Sequence, residues 1–425
     1  MKIAVLGLWH LGCVTAACCA KHFDVTGLDF DAANVANLQK GKAPLFEPGL
    51  DDLIAAGLAS GKLSFTSHLA SACAGADILW VAYDTPVDEN DQADLEFVLR
   101  EVRRCVPALP KGALVLLSSQ LPVGTCRELE GEFGAQGYRF ACSPENLRLG
   151  KAIEIFTKAD RIIAGYRDER AKAQLTELFA PFTAQVVWMR SESAEMTKHA
   201  INSFLAVSIT FMNEIARLCE ATGADAKEVE RGLKSESRIG PKAYLSPGGA
   251  FAGGTLARDV VTLASLGRKH SEQLEVLPAI KRSNDRHRQW AVEKIRKIFA
   301  GATGRRIALL GLTYKPGTNT LRRSSAVELA QALQQAGFEV RACDPSQPAL
   351  PPELSFIQFK ASAAEATAGA DAVVVCTEWP EFRGLDWTSL VAGLRRPLVI
   401  DATRFLEKSI AGLPKIQHIT VGSPA

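Results

Sequence analysis

The stretch Ser193–Thr222 places Ile201, Phe204/Leu205, Phe211/Met212, Ile215 and Leu218/Cys219 at spacings of three and four. That is a helical period, and thirty helical residues extend roughly 45 Å. Ser193 is expected to cap its start, Glu195 to suit the positive first turn, and Thr222-Gly223 to close it. Two segments that begin alike flank it, each an apolar strand, a glycine turn and a helix. A chain of this layout is expected to be α/β, with two parallel-sheet domains joined by a long central helix. The helix then serves as a spine that carries Lys198 and Asn202 to a site between the domains. Residues 1–192, 193–300 and 301–425 are the expected divisions.

The first flank opens with Lys2–Leu6 (KIAVL), then Gly7-Leu8-Trp9-His10-Leu11-Gly12, a helix through Ala20, and a strand from Asp24 to Leu28 that ends at Asp29. Strand, glycine turn, helix and strand-end acid form the Rossmann dinucleotide arrangement. The pyrophosphate rests on the helix N-terminus and the acid takes the ribose hydroxyls. Asp29 would repel a 2′-phosphate, which favours NAD over NADP. The middle glycine of GxGxxG is Trp9, so the indole must point away or displace the ligand. Lys2 and the apolar run after it also resemble a secretory signal, but His10 interrupts that run and the glycines suit a nucleotide turn better.

Strands at Ile78–Ala82, Ala113–Leu117, Tyr138–Cys142 and Val186–Trp188 complete the first half. Their polar ends, Tyr83–Pro86, Ser118–Pro122 and Ser143–Arg148, are candidate site loops, because parallel sheets bind ligands beyond their carboxyl ends. After the spine, Ser246–Asp259 (SPGGAFAGGTLARD) is the least globular stretch, and its glycines let the backbone wrap closely around a ligand. From residue 304 the pattern restarts: strand Arg306–Leu310, turn Gly311, loop Lys315–Thr318, helix Ser325–Gly337, and strands Glu339–Cys343, Ala372–Cys376 and Leu398–Asp401, the last closing the sheet. No full GxGxxG accompanies it.

Composition excludes several classes. Net charge is +2 with basic residues spread along the chain, which argues against nucleic acid and against a basic membrane face. No apolar run approaches a membrane span of roughly 18 residues. The ten cysteines show no CxxC pair and no metal-like Cys/His spacing. They read as reduced thiols of a cytoplasmic protein, with no metal site expected.

Taken in order, these segments resemble the UDP-glucose/GDP-mannose dehydrogenase family along nearly the whole chain. The motifs are KIAVLGLWHLG, DTPVDENDQADL, Ser119–Thr125, PENLRLGKA, AEMTKHAINSFLA with NEIARLCEATGAD, RIG with the glycine loop, LLGLTYKPGTNTLRRSS, DAVVVCTEWPEF and LVIDATR. The resemblance implies two NAD+-dependent oxidations of a sugar C6 alcohol, through an aldehyde that a cysteine traps as a thiohemiacetal and a thioester that water cleaves. It also implies a homodimer formed through the spine region and a UDP-linked sugar as substrate.

By that resemblance Lys198 and Asn202 hold the C6 oxygen, Asp259 orders the catalytic water and pairs with Lys198, and Glu145 assists proton transfer in hydrolysis. Leu147, Arg238, Tyr244, Gly253 and Lys315 hold the nucleotide sugar. Gly7, Leu8, Trp9, Gly12, Asp29, Thr85, Gln120 and Arg322 contact NAD. The departures are informative. The family's cysteine is Thr255 here, its neighbouring lysine is Arg258, the threonine before Val-Pro is Gln120, and the second glutamate of PEFLRE is Leu149. A threonine hydroxyl is hardly ionised at neutral pH. The missing thiol implies a reaction that stops at the aldehyde, or that reaches the acid through a hydrated aldehyde. The competing expectation, favoured by Trp9, is an inactive nucleotide-sugar-binding paralogue serving as a sensor or partner subunit.

Overall fold

The computed structural model describes residues 1–85, 94–300, 305–414 and 416–424. Residues 86–93, the middle of the DTPVDENDQADL motif, and residue 304 lie outside that set. The chain separates into two compact units, Met1–Ile201 and Asn202–Ala425.

The first unit holds eight strands: β1 Lys2–Leu6, β2 Asp24–Leu28, β3 Leu63–Thr66, β4 Ile78–Val81, β5 Leu114–Leu117, β6 Arg139–Cys142, β7 Ile162–Tyr166 and β8 Val186–Arg190. Their order is β3-β2-β1-β4-β5-β6-β7-β8, and every pairing is parallel except β6 with β7. The reversal of order between β1 and β4 creates the crevice in which such sheets bind nucleotides. Helices cover both faces, so the central strands are continuously apolar rather than alternating. Ile3 and Val5 enter one buried layer and Ala4 and Leu6 the other, which is the two-residue period of a strand. Helix His10–Cys19 is buried along nearly its whole length in the first of these layers.

The second unit repeats the plan with β9 Arg306–Leu310, β10 Glu339–Cys343, β11 Gln358–Phe359, β12 Ala372–Val375, β13 Leu398–Asp401 and β14 Gln417–Ile419. Their order is β11-β10-β9-β12-β13-β14, all parallel. The sheet is closed by β14, not by Leu398–Asp401 as the apolar pattern suggests.

The central helix runs Ser191–Thr222 and follows β8 directly. Ser193 therefore lies inside it and does not cap it. Glu195 serves a different helix: its carboxylate accepts from the backbone N–H groups of Gly124 (2.6 Å) and Cys126 (2.9 Å), capping Thr125–Phe133. The C-terminus ends as the sequence suggests, with Gly223 at φ +83° donating to the Cys219 carbonyl at 2.9 Å. The single apolar stripe of the sequence divides into two faces within the second unit. Met212, Ala216 and Cys219 enter its core, while Phe204, Phe211 and Leu218, spaced by seven, are exposed. Helix Thr255–Lys269 begins inside the expected glycine stretch, so Asp259 is helical and fully buried rather than part of a loop.

Among the described residues no helix is long and apolar enough to cross a membrane.

Candidate functional site

In the first unit, the turn between β1 and helix His10–Cys19 is only residues 7–9, so the helix N-terminus opens immediately beyond the strand. Gly7 has φ +89°, and a Cβ there would lie 2.6 Å from the Tyr83 ring. At Gly12 a Cβ would collide with the Gly7 carbonyl oxygen, so strand and helix pack at glycine distance. Trp9 occupies the helix N-cap with extended backbone and an exposed side chain. Its φ of −91° makes no demand for glycine, and the indole is not buried in the turn. Asp29, half-buried at the end of β2, accepts from Leu8 N–H at 2.7 Å through one oxygen and from Asp31 N–H at 3.0 Å through the other. A carboxylate has about four lone-pair sites, so it retains capacity for a ribose diol. Both glycine constraints, the helix terminus and the acid fit a dinucleotide.

Beside this turn, Thr85 Oγ1 donates to the Gln120 carbonyl at 3.0 Å, joining two of the strand-end loops. Lys198, on the central helix and 8% exposed, pairs with Glu145 at 3.8 Å. Glu145 is positioned by its own turn, accepting from Leu147 N–H at 2.6 Å. Lys198, Glu145 and Leu147 line a cavity of about 450 Å³ that Trp80 and Phe156 also line. There Trp80 Nε1 donates to Ser118 Oγ (2.8 Å), which donates to the Ser143 carbonyl (2.6 Å).

Sequence reasoning missed Glu47. Its buried carboxylate accepts from Gly150 N–H (2.7 Å) and Ala152 N–H (2.8 Å) and pairs with His10 Nε2 (2.9 Å). It thereby ties the first residue of the nucleotide helix to the loop that carries Glu145. Cys126, Cys142 and Glu195 also converge within 4.8 Å, a buried set that linear spacing does not reveal.

In the second unit, Asn202 is 5% exposed and donates through Nδ2 to the fully buried Asp259 carboxylate. Thr255 is the first residue of the helix that carries Asp259, exposed, with Gly254 at φ +106° before it. A helix N-terminus would lower the pKa of a thiol there, but an alcohol stays protonated. None of the ten cysteines is exposed, and burial pushes the Cys376 thiol up to about 12. Arg238 and Tyr244 are exposed, and the Arg238 guanidinium is engaged by Glu236 at 3.0 Å. Lys315 and Arg322 lie on residues 311–324, the long loop between β9 and helix Ser325–Gln335.

A mainly parallel sheet in dinucleotide order, a glycine-constrained turn and a strand-end acid define a dinucleotide-binding domain. The chain is 35% identical to a UDP-glucose 6-dehydrogenase of Rhizobium meliloti over 437 aligned positions, covering 100% of both chains. It is 35% identical to one of Pseudomonas aeruginosa, covering 94% and 93%. The solved UDP-glucose dehydrogenase of Pyrobaculum islandicum is 30% identical with a TM-score of 0.85, covering 96% and 95%. The UDP-glucose/GDP-mannose dehydrogenase family models match as the NAD binding domain over residues 1–183, the central domain over 192–286 and the UDP binding domain over 308–408. The chain belongs to this family, and its cofactor is NAD.

Proposed function

We propose that this protein oxidises the C6 alcohol of a UDP-linked hexose, UDP-glucose being the first candidate, and releases the aldehyde. The UDP binding domain and the names of the relatives support the substrate class. When bound, NAD+ accepts the C6 hydride. The chain's own residues handle the oxygen and its proton. Lys198 and Asn202, four apart on the central helix, donate hydrogen bonds to the C6 oxygen as it gains negative charge. Asp259, oriented by Asn202, holds the water that receives the proton. Glu145, beside Lys198, is retained from the hydrolytic step of the family. Gly7, Leu8, Trp9, Gly12, Asp29, Thr85, Gln120 and Arg322 contact NAD, while Leu147, Arg238, Tyr244, Gly253 and Lys315 hold the nucleotide sugar. The exposed Phe204, Phe211 and Leu218 supply the face of a homodimer.

The observation that carries the two-electron reading is Thr255, a hydroxyl at the helix start where the family places its thiol. The test counts NADH formed per UDP-glucose consumed, with a hydrazine present to trap aldehyde. One NADH with trapped aldehyde is expected, and Thr255→Cys should raise the count toward two. Two per sugar in the unaltered protein would defeat the aldehyde reading. No turnover together with no NAD+ binding would mean an inactive nucleotide-sugar-binding protein.

A further inference from the structure

The glycine-rich loop, residues 246–254, carries no charged residue and yet is held at successive points by buried polar side chains. From the central helix, Asn213 accepts from Gly248 N–H (3.0 Å) and donates to the Gly249 carbonyl (3.3 Å). From helix Val276–Arg288, Asn284 accepts from Phe251 N–H (3.0 Å) and donates to the Phe251 carbonyl (2.9 Å), the pairing of a strand neighbour made by a side chain. One turn further along, His287 Nε2 meets the Gly248 carbonyl at 2.8 Å. Asn213, Asn284 and His287 are 1%, 2% and 4% exposed. Gly249 and Ala250 line a cavity of about 130 Å³.

The tautomer of His287 follows from its partners. Arg217 NH1 lies 3.1 Å from Nδ1 and can only donate, so Nδ1 accepts and Nε2 carries the proton that Gly248 receives. This holds only for the neutral ring. Protonation would set two donors, Nδ1–H and the Arg217 guanidinium, against each other. The charged groups facing the ring are Arg217 and Glu220 of the central helix. Arg217 is in turn 3.7 Å from Glu214, and Glu220 is 2.7 Å from Lys294. Burial lowers the affinity of His287 for a proton; the Gly248 carbonyl opposes this, Arg217 adds to it, and Glu220 opposes it, leaving the pKa below the ordinary 6.5.

We propose that Asn213, Asn284 and His287 are positioning residues that hold this loop in the conformation presenting Gly253 and Thr255 to the nucleotide sugar. The part played by the nucleotide sugar rests on the oxidoreductase reading above; the latch itself does not.

The test compares the unaltered protein with Asn284→Asp, which keeps the acceptor for Phe251 N–H and loses the donor, and with His287→Gln, which can still donate to Gly248 and accept from Arg217. Hydrogen exchange of a peptide spanning 246–254, corrected for intrinsic rates, is followed at pH 7.5. Asn284→Asp should exchange about three- to tenfold faster, the effect of losing one hydrogen bond, and KM for UDP-glucose should rise by a similar factor with kcat little changed. His287→Gln should stay protected with KM near that of the unaltered protein. Unchanged exchange in Asn284→Asp, or an equal loss of protection in His287→Gln, would overturn the latch. Absence of UDP-glucose turnover would overturn the oxidoreductase reading and leave the exchange comparison decisive.

Discussion

The two sheets share one strand order and one strand-end acid, and the acids do opposite work. Asp29 is half-buried and accepts two backbone N–H groups. Asp344, 6% exposed at the end of β10, accepts six donors. One oxygen receives Leu312 N–H (2.7 Å), Thr313 N–H (3.0 Å), Thr313 Oγ1 (3.1 Å) and Trp379 Nε1 (3.2 Å); the other receives Ser346 N–H (2.9 Å) and Ser346 Oγ (2.8 Å). Burial works to raise the pKa of Asp344, but the Leu312, Ser346 and Thr313 amides and the Ser346 hydroxyl hold it below the usual carboxylate value. An acid saturated by its own chain cannot also take a ribose. Topology therefore supplies two crevices of one design, and side-chain accounting separates a dinucleotide site from a structural tie.

The largest effect should come from Asp344→Ala, which leaves buried donors without an acceptor. A loss of about 3 kcal/mol or more of unfolding free energy is expected in urea titrations. A near-neutral result would erase the contrast. Asp29→Ala should instead cost about 1 kcal/mol of stability while weakening NAD+ binding about tenfold by calorimetry. Unchanged affinity there would break the comparison from the other side.

Acid should sharpen it. The folded pKa of Asp344 is depressed, so its contribution is complete above the ordinary 3.8 and disappears as pH falls from there through the lowered value. Circular dichroism below pH 4 should show acid unfolding that Asp344→Asn makes shallower. The smallest effect is expected at Trp9→Gly. With the indole exposed and φ negative, NAD+ affinity should change by less than about threefold, within 1 kcal/mol or so. A gain far beyond that would mean the indole obstructs the cofactor.

What could be read from the sequence divides along the same lines. β1, β2, β9 and β10 agree to the residue with the expected strands, because buried parallel strands make continuous apolar runs between turn residues. Leu63–Thr66 and Ile162–Tyr166 escaped notice: the first is an edge strand of alternating polarity, and the second pairs antiparallel with β6. The ordered motifs brought the family and NAD within reach. The polar anchors stayed hidden, since Glu47 meets Ala152 across 105 positions and Glu195 meets Gly124 across 71, and no periodicity links such partners. Ser193 misled for a related reason. A good capping residue signals a helix start only where the preceding strand has not already run into the helix.

Glu47 has a thermodynamic corollary. One carboxylate grips both His10, at the mouth of the cofactor turn, and the amides of Gly150 and Ala152, beyond Glu145 and Leu147. A ligand that stills either segment lowers the entropy still to be lost by the other. By reciprocity, NAD+ and a nucleotide sugar should each raise the affinity for the other by one shared factor. Removing the Glu47 carboxylate should bring that factor toward unity.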